Sequence, residues 1–506
     1  MSPATPFRPR AAHRQRASVA TVARITRGLA VRILGGWLLA GAAGAALAAG
    51  AQTALPPEVL QSLARAGVPA SAVSVLVAPL PEAGTPATPR LNWQADLPMN
   101  PASVMKLVTT YAGLDLLGPD FTWTNRIYVD GPVVNGVLNG NLIIRGSGDP
   151  KLVLERLQAL IRQIMAAGVR EVRGDILLDR SIFDVPERNP ADFDDEPLRP
   201  YNASPDGLLV NFKSLIFTFT PDTGAARAQV KSEPPIAGVD IPAALPLSGG
   251  ACADWRSALR ADFADPKQVR FSGRYAAACG ERQWPVAYVD PRSFATRVVQ
   301  AMWLAEGGQL GGRVREAATP PGARLWVSAE SLPLADIIAD INKFSNNVMA
   351  QQLFLTLSSQ NQGTGSFEAS RQRLARWWRA RFANQAEPLI ENGSGLSRQE
   401  RTSAAALTAL LQKAASGPAA ATFQQSLGLA GVDGTVQRMR DRNGNAEALG
   451  RAWLKTGSLR DVASVAGYVT GRSGGRYSLV VIVNHENASA VRATLDQLVE
   501  WTARLP

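Results

Sequence analysis

The chain has 506 residues, well beyond the roughly 250–300 at which a single hydrophobic core stops growing, so two or more domains are expected. With 46% hydrophobic and 19% charged residues it is a globular chain, which excludes wholesale disorder. The net charge of +11 does not argue for nucleic acid: seven arginines (Arg8, Arg10, Arg14, Arg16, Arg24, Arg27, Arg32) lie in the first 32 residues, which contain no acid, leaving +4 on the rest.

From Ile33 to Pro57 no residue is charged, and ILGGWLLAGAAGAALAAGAQ ends in the small residues that a signal peptidase accepts. Residues 1–51 therefore read as a secretory signal cleaved near Ala48 or Ala51, with a retained signal anchor as the alternative. No two arginines in it are adjacent, which fits general secretion better than the twin-arginine route. No later apolar run approaches spanning length, so the mature protein is expected in the periplasm with at most peripheral membrane contact.

SAVSVLVAPL (71–80) reads as a buried strand and LNWQADLP as its partner. NPASVMKLVTTYAGLDLLG reads as a buried helix capped by Asn100, opened by Pro101 and ended by Gly118, with Ser103 as its third residue. Over 119–288 the pattern changes to short β-like runs such as NRIYVDG, RGDILLD and LIFTFT, with one helix near 151–167. Helical periodicity returns over 293–308, 334–344 and 348–357. The arginines at 371–381, with Trp377 and Trp378, are expected on one face of a surface helix. The strands AWLKTGSL, VASVAGYVTG and YSLVVIVNH follow, then an amphipathic helix over 488–504. Strands early and late with helices between suggest one α/β domain, 52–118 plus 289–506, split by a mostly β insertion at 119–288, with a division of that insertion into two subdomains as an option. Cys252 and Cys279, in an exported chain, are expected to form a disulfide. Two cysteines and one histidine beyond the signal, His485, supply neither a Cys/His zinc set nor a Ser-His-Asp triad, and no metal or cofactor is expected.

Ser103-Val-Met-Lys106 places a hydroxyl and an amine on one helical face. A serine attacks only when a neighbour takes its proton, and a lysine held neutral by burial or by a second cation can do so. S-x-x-K alone arises easily by chance. Its weight comes from Ser345-Asn346-Asn347 between two helices and Lys455-Thr456-Gly457-Ser458 on a strand, because that order is the signature set of penicillin-binding enzymes and β-lactamases. Only 8 of the 53 basic residues are lysine, yet two fall at these motifs, where an arginine could not be deprotonated.

The chain resembles the class C low-molecular-mass penicillin-binding proteins, the D-alanyl-D-alanine carboxypeptidase/endopeptidase family. The resemblance runs through NPASVMKL, GNLIIRGSGDP, LLVNF, NKFSNNVMAQQL, ENGSGLSR, AGVDGT and LKTGSLRDVASVAGYV. It implies an α/β (α+β) serine transferase domain with an antiparallel sheet, and the 238 residues between Lys106 and Ser345 fit the large insertion of that family. It further implies Ser103 as nucleophile, Lys106 as its base, Ser345 as proton relay and Asn347 as holder of the acyl side chain. Lys455 and Thr456 would bind the terminal carboxylate, the N–H groups of Ser103 and Ser458 would form the oxyanion hole, and Gly457 counts with them among the substrate-binding residues. Peptidoglycan stem peptides are the expected substrates and β-lactams the inhibitors. Asp149 would face the diamino acid of the stem peptide, although Gly-Asp-Pro is also a good turn with the Asp bonding its own backbone. ENGSGLSR and AGVDGT read first as glycine-dependent turns near the site. A β-lactamase and a catalytically silent wall-binding scaffold are the competing readings; the first lacks an E-x-x-x-N element after S-x-N, and the second sits badly with the intact motif residues.

Overall fold

The computed structural model describes residues 52–81 and 88–506, so the expected signal over 1–51 lies outside the described residues. Among the described residues no helix is long and apolar enough to cross a membrane.

The early and late strands meet in one antiparallel sheet. Its six strands lie in the spatial order Gly428–Leu429, Ala452–Leu459, Val462–Thr470, Arg476–Asn484, Val73–Pro79, Leu91–Trp93. Val73–Pro79 pairs over its whole length with Arg476–Asn484, from Val73 opposite Val483 to Pro79 opposite Tyr477. Side chains alternate along a strand, so the unbroken apolar runs feed two cores. Val73, Val75 and Val77 join Leu479, Val481 and Val483 against the helices Pro57–Arg65 and Arg492–Ala503. Leu76, Val480 and Ile482 face a layer of helices on the other side.

That layer contains Lys106–Leu117, Leu334–Phe344, Asn347–Gln362, Phe367–Arg381 and Ala404–Ala415. Every residue of the serine helix from Lys106 to Leu114 is buried, so it has no solvent face there, and Gly118 ends it at φ 84°. Its start differs from the expected one. Ala102–Met105 form a 3-10 turn and the α-helix begins at Lys106, so Ser103 sits in the turn before it. Ala102 has φ 47°, an uncommon conformation for a residue with a Cβ. Asn100 holds it: the Asn100 Oδ1 accepts from the Ala102 N–H at 2.9 Å, and the Asn484 amide both accepts from the Asn100 N–H and donates to its carbonyl.

Trp377 and Trp378 do not share a surface with the arginines of their helix. Both are buried with Leu374 in the helical core while Arg379 and Arg381 are exposed, because a helix divides neighbours in sequence between its two faces.

The inserted region has two five-stranded sheets. One runs Val314–Glu316, Ile176–Asp179, Leu142–Arg145, Thr124–Val129, Arg324–Glu330; the other runs Tyr275–Ala276, Ala244–Ser248, Arg227–Glu233, Ser214–Asp222, Arg282–Ala287. The Cys252–Cys279 disulfide is formed and lies beside the second sheet, whose core includes Phe217, Phe219 and Tyr275. The insertion extends past the expected border at 288. Phe294–Ala305 packs with Leu157, Leu160 and Ile161 of the helix Leu154–Ala166, Val314–Glu316 pairs in parallel with Ile176–Asp179, and Arg324–Glu330 pairs with Thr124–Val129. The chain re-enters the helical layer only at Leu334. The period of 293–308 correctly marks a helix, but a period does not say which core the helix covers.

Where the two parts meet, the buried Gln352 amide donates to the Gly148 and Asp206 carbonyls and accepts from the Asp206 N–H at 2.7 Å. The Asp206 carboxylate, buried in turn, is paired with Arg180 and with Lys213 at 2.8 Å.

Candidate active site

Four segments bring the motif residues together. Ser103 stands in the 3-10 turn, Lys106 opens the serine helix, Ser345 and Asn347 occupy the junction between two helices, and Lys455 to Ser458 lie on the strand Ala452–Leu459. The junction has a simple origin. Ser345 closes Leu334–Phe344 in the left-handed conformation, φ 56°, and Asn346 caps the next helix by accepting from the Met349 N–H at 3.1 Å. This turn points Ser345 at the strand and Asn347 at the serine helix.

Lys106 is fully buried, and its Nζ lies 2.9 Å from Ser103 Oγ and 2.7 Å from Asn347 Oδ1, with the Ser394 carbonyl as a third partner. Burial, and then the nearby Lys455 charge, hold its amine well below the ordinary lysine range, against a smaller upward pull from Glu400. A neutral amine can give its two N–H groups to Asn347 and Ser394 and turn its lone pair to the Ser103 proton. Lys455 is equally buried, and burial brings it down to about 7. Its Nζ donates to Ser345 Oγ at 2.9 Å and to the Thr456 carbonyl at 2.6 Å. Asn347 completes the link by donating its Nδ2 to the Tyr201 carbonyl at 3.1 Å.

Two glycines let the backbones close in on Ser103. A Cβ on Gly457 would lie 2.6 Å from the Pro101 carbonyl oxygen and 3.0 Å from the Ser103 nitrogen, so the strand passes this near the nucleophile only without a side chain there. Gly395, at φ 79°, lies against Ala102, and a Cβ would fall 2.0 Å from the Ala102 carbonyl oxygen.

The loop that carries Gly395 contributes more than a turn. Its Ser394 carbonyl holds Lys106, its Gly393 carbonyl accepts from Thr109 Oγ1, and its Ser397 carbonyl accepts from Asn100 Nδ2. Glu400 secures the loop: its Oε1 accepts from the Glu391 and Asn392 N–H groups at 3.0 and 3.2 Å, while Oε2 has no hydrogen-bond partner among the described residues. Burial raises its carboxyl to about 7. Nothing in the sequence singled out Glu400, because one acid among turn residues has no period or motif of its own; Ser394 lies in ENGSGLSR, which reads as a glycine-dependent turn near the site without a role for this residue. Thr435, from AGVDGT, meets Thr456 hydroxyl to hydroxyl at 2.7 Å.

Asp149 is not brought to this site. It is 2% exposed, and its carboxylate accepts from the Lys151 N–H at 2.9 Å and from Asn125 Nδ2, with Arg156 at 3.6 Å. The Gly-Asp-Pro segment is the turn in which the Asp149 carboxylate bonds the backbone two residues on, and none of its partners is a motif residue. His485 follows its strand and accepts from the Asn487 N–H at 3.1 Å, away from the motif residues.

A half-buried serine bonded to a buried lysine, facing a second buried lysine on an antiparallel strand, is the arrangement of the serine acyl-transfer enzymes. Residues 69–505 match the family model described as D-Ala-D-Ala carboxypeptidase 3 (S13). The chain belongs to this S13 family. Family membership makes it a class C penicillin-binding protein and a serine-type D-Ala-D-Ala carboxypeptidase, a hydrolase of peptidoglycan peptides. Among its relatives, the D-alanyl-D-alanine carboxypeptidase DacB of Haemophilus influenzae is 25% identical over 400 residues, 76% of this chain and 80% of that one. The D-alanyl-D-alanine carboxypeptidase of Actinomadura sp. (strain R39) is 28% identical over 424 residues, 79% of this chain and 76% of that one. The crystal structure of penicillin binding protein 4 (dacB) from H. influenzae superposes with a TM-score of 0.69 at 20% identity, covering 88% of this chain and 97% of that chain, so the two share a fold.

Proposed function

We propose that this S13 carboxypeptidase works through an acyl-enzyme on Ser103, and that the same chemistry cuts D,D-cross-links between stem peptides. The observation that carries the reading is the fully buried Lys106 amine 2.9 Å from Ser103 Oγ, beside a second buried lysine that disfavours its charge. Ser103 Oγ attacks the carbonyl between two D-alanines and its proton passes to Lys106 Nζ. The tetrahedral oxyanion is met by the N–H groups of Ser103 and Ser458, at the edge where Gly457 lets the backbones approach. Ser345, bonded to Lys455, relays a proton to the leaving nitrogen as the C–N bond breaks. Water then hydrolyses the ester. Lys455 and Thr456 bind the terminal carboxylate, and Asn347 holds both Lys106 and the acyl side of the substrate.

A carboxypeptidase and an endopeptidase reaction differ here only in the leaving amine, D-alanine or the side chain of a second stem peptide. Penicillins acylate the same serine, and their release is slow because no E-x-x-x-N element follows the S-x-N motif. The enzyme acts in the periplasm after removal of the N-terminal segment; the arginine-rich start and the uncharged stretch from Ile33 to Pro57 support this.

The test is intact-mass spectrometry of the mature protein with benzylpenicillin, beside Ser103→Ala, followed by D-alanine release from a diacyl-D-Ala-D-Ala peptide. A stable adduct on the native chain only, with D-alanine released, is the expected outcome. An adduct on the Ser103→Ala protein would refute the assignment of the nucleophile, and rapid penicillin turnover would favour a β-lactamase.

A further inference from the structure

The K-T-G strand borders a cavity of about 660 Å³ that the chemistry above does not use. It opens beside Phe344, Thr435 and the Thr456–Ser458 edge, and runs on to the first turn of Arg492–Ala503. Four cations line it. Two are already neutralised, Lys343 by Asp433 at 2.7 Å and Arg442 by Asp496. The other two, Arg438 and Arg492, are exposed and have no hydrogen-bond or ion-pair partner among the described residues. A cavity of the opposite character lies on the Asn347 side of the site, with Tyr201, Phe212 and Pro234 in its wall.

The two cavities meet at Phe344, which lines both, and the direction of the reaction distinguishes them. The acyl half of the substrate stays on the Asn347 side. The leaving half departs past Thr456, where its carboxylate is held. A single D-alanine needs little space beyond Lys455 and Thr456, whereas cavities of roughly 300–1,000 Å³ accommodate ligands of many atoms. A leaving group that is a second stem peptide is large and, besides the carboxylate held at Lys455 and Thr456, carries a further one at its own chain end.

We infer that the cavity lined by Arg438 and Arg492 is a binding subsite for the anionic leaving strand of a D,D-cross-linked stem-peptide dimer. This rests on the acyl-enzyme reading above. The subsite makes the enzyme prefer cross-links to free peptide ends through carboxylate-guanidinium pairs that a single leaving D-alanine is too short to reach. Both arginines are solvent-facing and unpartnered, so replacing them leaves no buried group unsatisfied.

The experiment compares kcat/KM for cleavage of a purified cross-linked dimer with kcat/KM for D-alanine release from an uncross-linked diacyl peptide. It uses the native chain, the double variants Arg438→Ala/Arg492→Ala and Arg438→Glu/Arg492→Glu, and Arg438→Lys/Arg492→Lys, with melting temperature as the control for folding. The expected result is a fall of at least about tenfold in the ratio of the two activities for the alanine pair, a larger fall for the glutamate pair and partial recovery for the lysine pair. A ratio that does not move, or activities that fall in parallel, would overturn the subsite. So would a native enzyme that releases D-alanine and leaves the dimer intact. A native chain that is not acylated by benzylpenicillin and releases nothing would instead bring down the acyl-enzyme reading itself.

Discussion

Two clusters of buried charge lean on the same helix, Asn347–Gln362, roughly one and a half turns apart, and they are built on opposite principles. At the junction with the inserted region, Asp206 lies between Arg180 and Lys213. Burial pushes its carboxyl up, and Lys213 and Arg180 overcome that push and hold it below the usual carboxylate range. At the active site, Lys106 and Lys455 are both fully buried; burial drives both toward the neutral form, and the Lys455 charge pushes Lys106 further. The first cluster is satisfied as ions and serves to join two parts of the molecule. The second would be costly as two ions, and the same cost gives Ser103 a base at neutral pH.

The sharpest way to break this contrast is to remove the base. Lys106→Ala is expected to slow acylation by benzylpenicillin about 10²–10⁴-fold, the usual worth of a general base. Lys106→Arg should be no better, because a guanidinium keeps its proton. Stopped-flow acylation rates check both, and an arginine variant that acylates at near-native speed would rule out proton transfer to residue 106.

The junction should respond in stability. Asp206→Ala leaves the buried Lys213 without its counter-ion, while the half-buried Arg180 keeps Glu316 at 2.9 Å; the loss costs about 3 kcal/mol, read as a lower urea midpoint. Because the folded Asp206 carboxyl lies below its unfolded value, its contribution is present above about pH 4 and is lost as pH falls through the folded value. The variant should therefore differ from the native chain at neutral pH and converge with it in acid. Equal midpoints at pH 7 would mean that the cluster does not join the two parts.

The smallest expected effect is a change in the shape of the pH profile. Lys455 falls to about 7 in the fold against about 10.4 in an unfolded chain, so the fold binds fewer protons between those values. The lysine thus opposes folding below about pH 7, and that cost fades as pH rises toward 10. In catalysis, loss of its charge removes the carboxylate partner, so kcat/KM for D-alanine release should decline above about pH 7. Lys455→Arg should be less active at its optimum and lack this alkaline decline. A decline that persists in the variant would assign that limb to another group.

Much of this was legible from sequence because the motifs are local and their order along the chain is informative. Ser103 with Lys106 needs one helical turn, and Ser345 with Asn347 needs one helix junction. The strand carrying Lys455 and its neighbour Val462–Thr470 announce themselves as short runs rich in apolar and β-branched residues. The helix Leu334–Phe344 was readable to its last residue from spacing alone. The border of the insertion was not readable. Phe294–Ala305 has the same amphipathic period whether it covers the central sheet or the sheet of the insertion, and only the pairing of Val314–Glu316 and Arg324–Glu330 decides between them.

By itself the sequence determined which side chains could do the chemistry: a serine and a lysine one turn apart, a second lysine on a strand, and too few histidines and cysteines for the alternatives. Tertiary structure alone decided their protonation and their company. Removal from water lowers both lysines, and Lys106 also meets the like charge of Lys455, 349 positions away in sequence. The same holds for Asp149, whose turn was foreseeable but whose burial against Asn125 and Arg156 was not. Glu400 acquired its place through two backbone N–H groups of a loop that no pattern marks. Local spacing sets what a residue can reach, whereas burial and charge environment are sums over the whole fold.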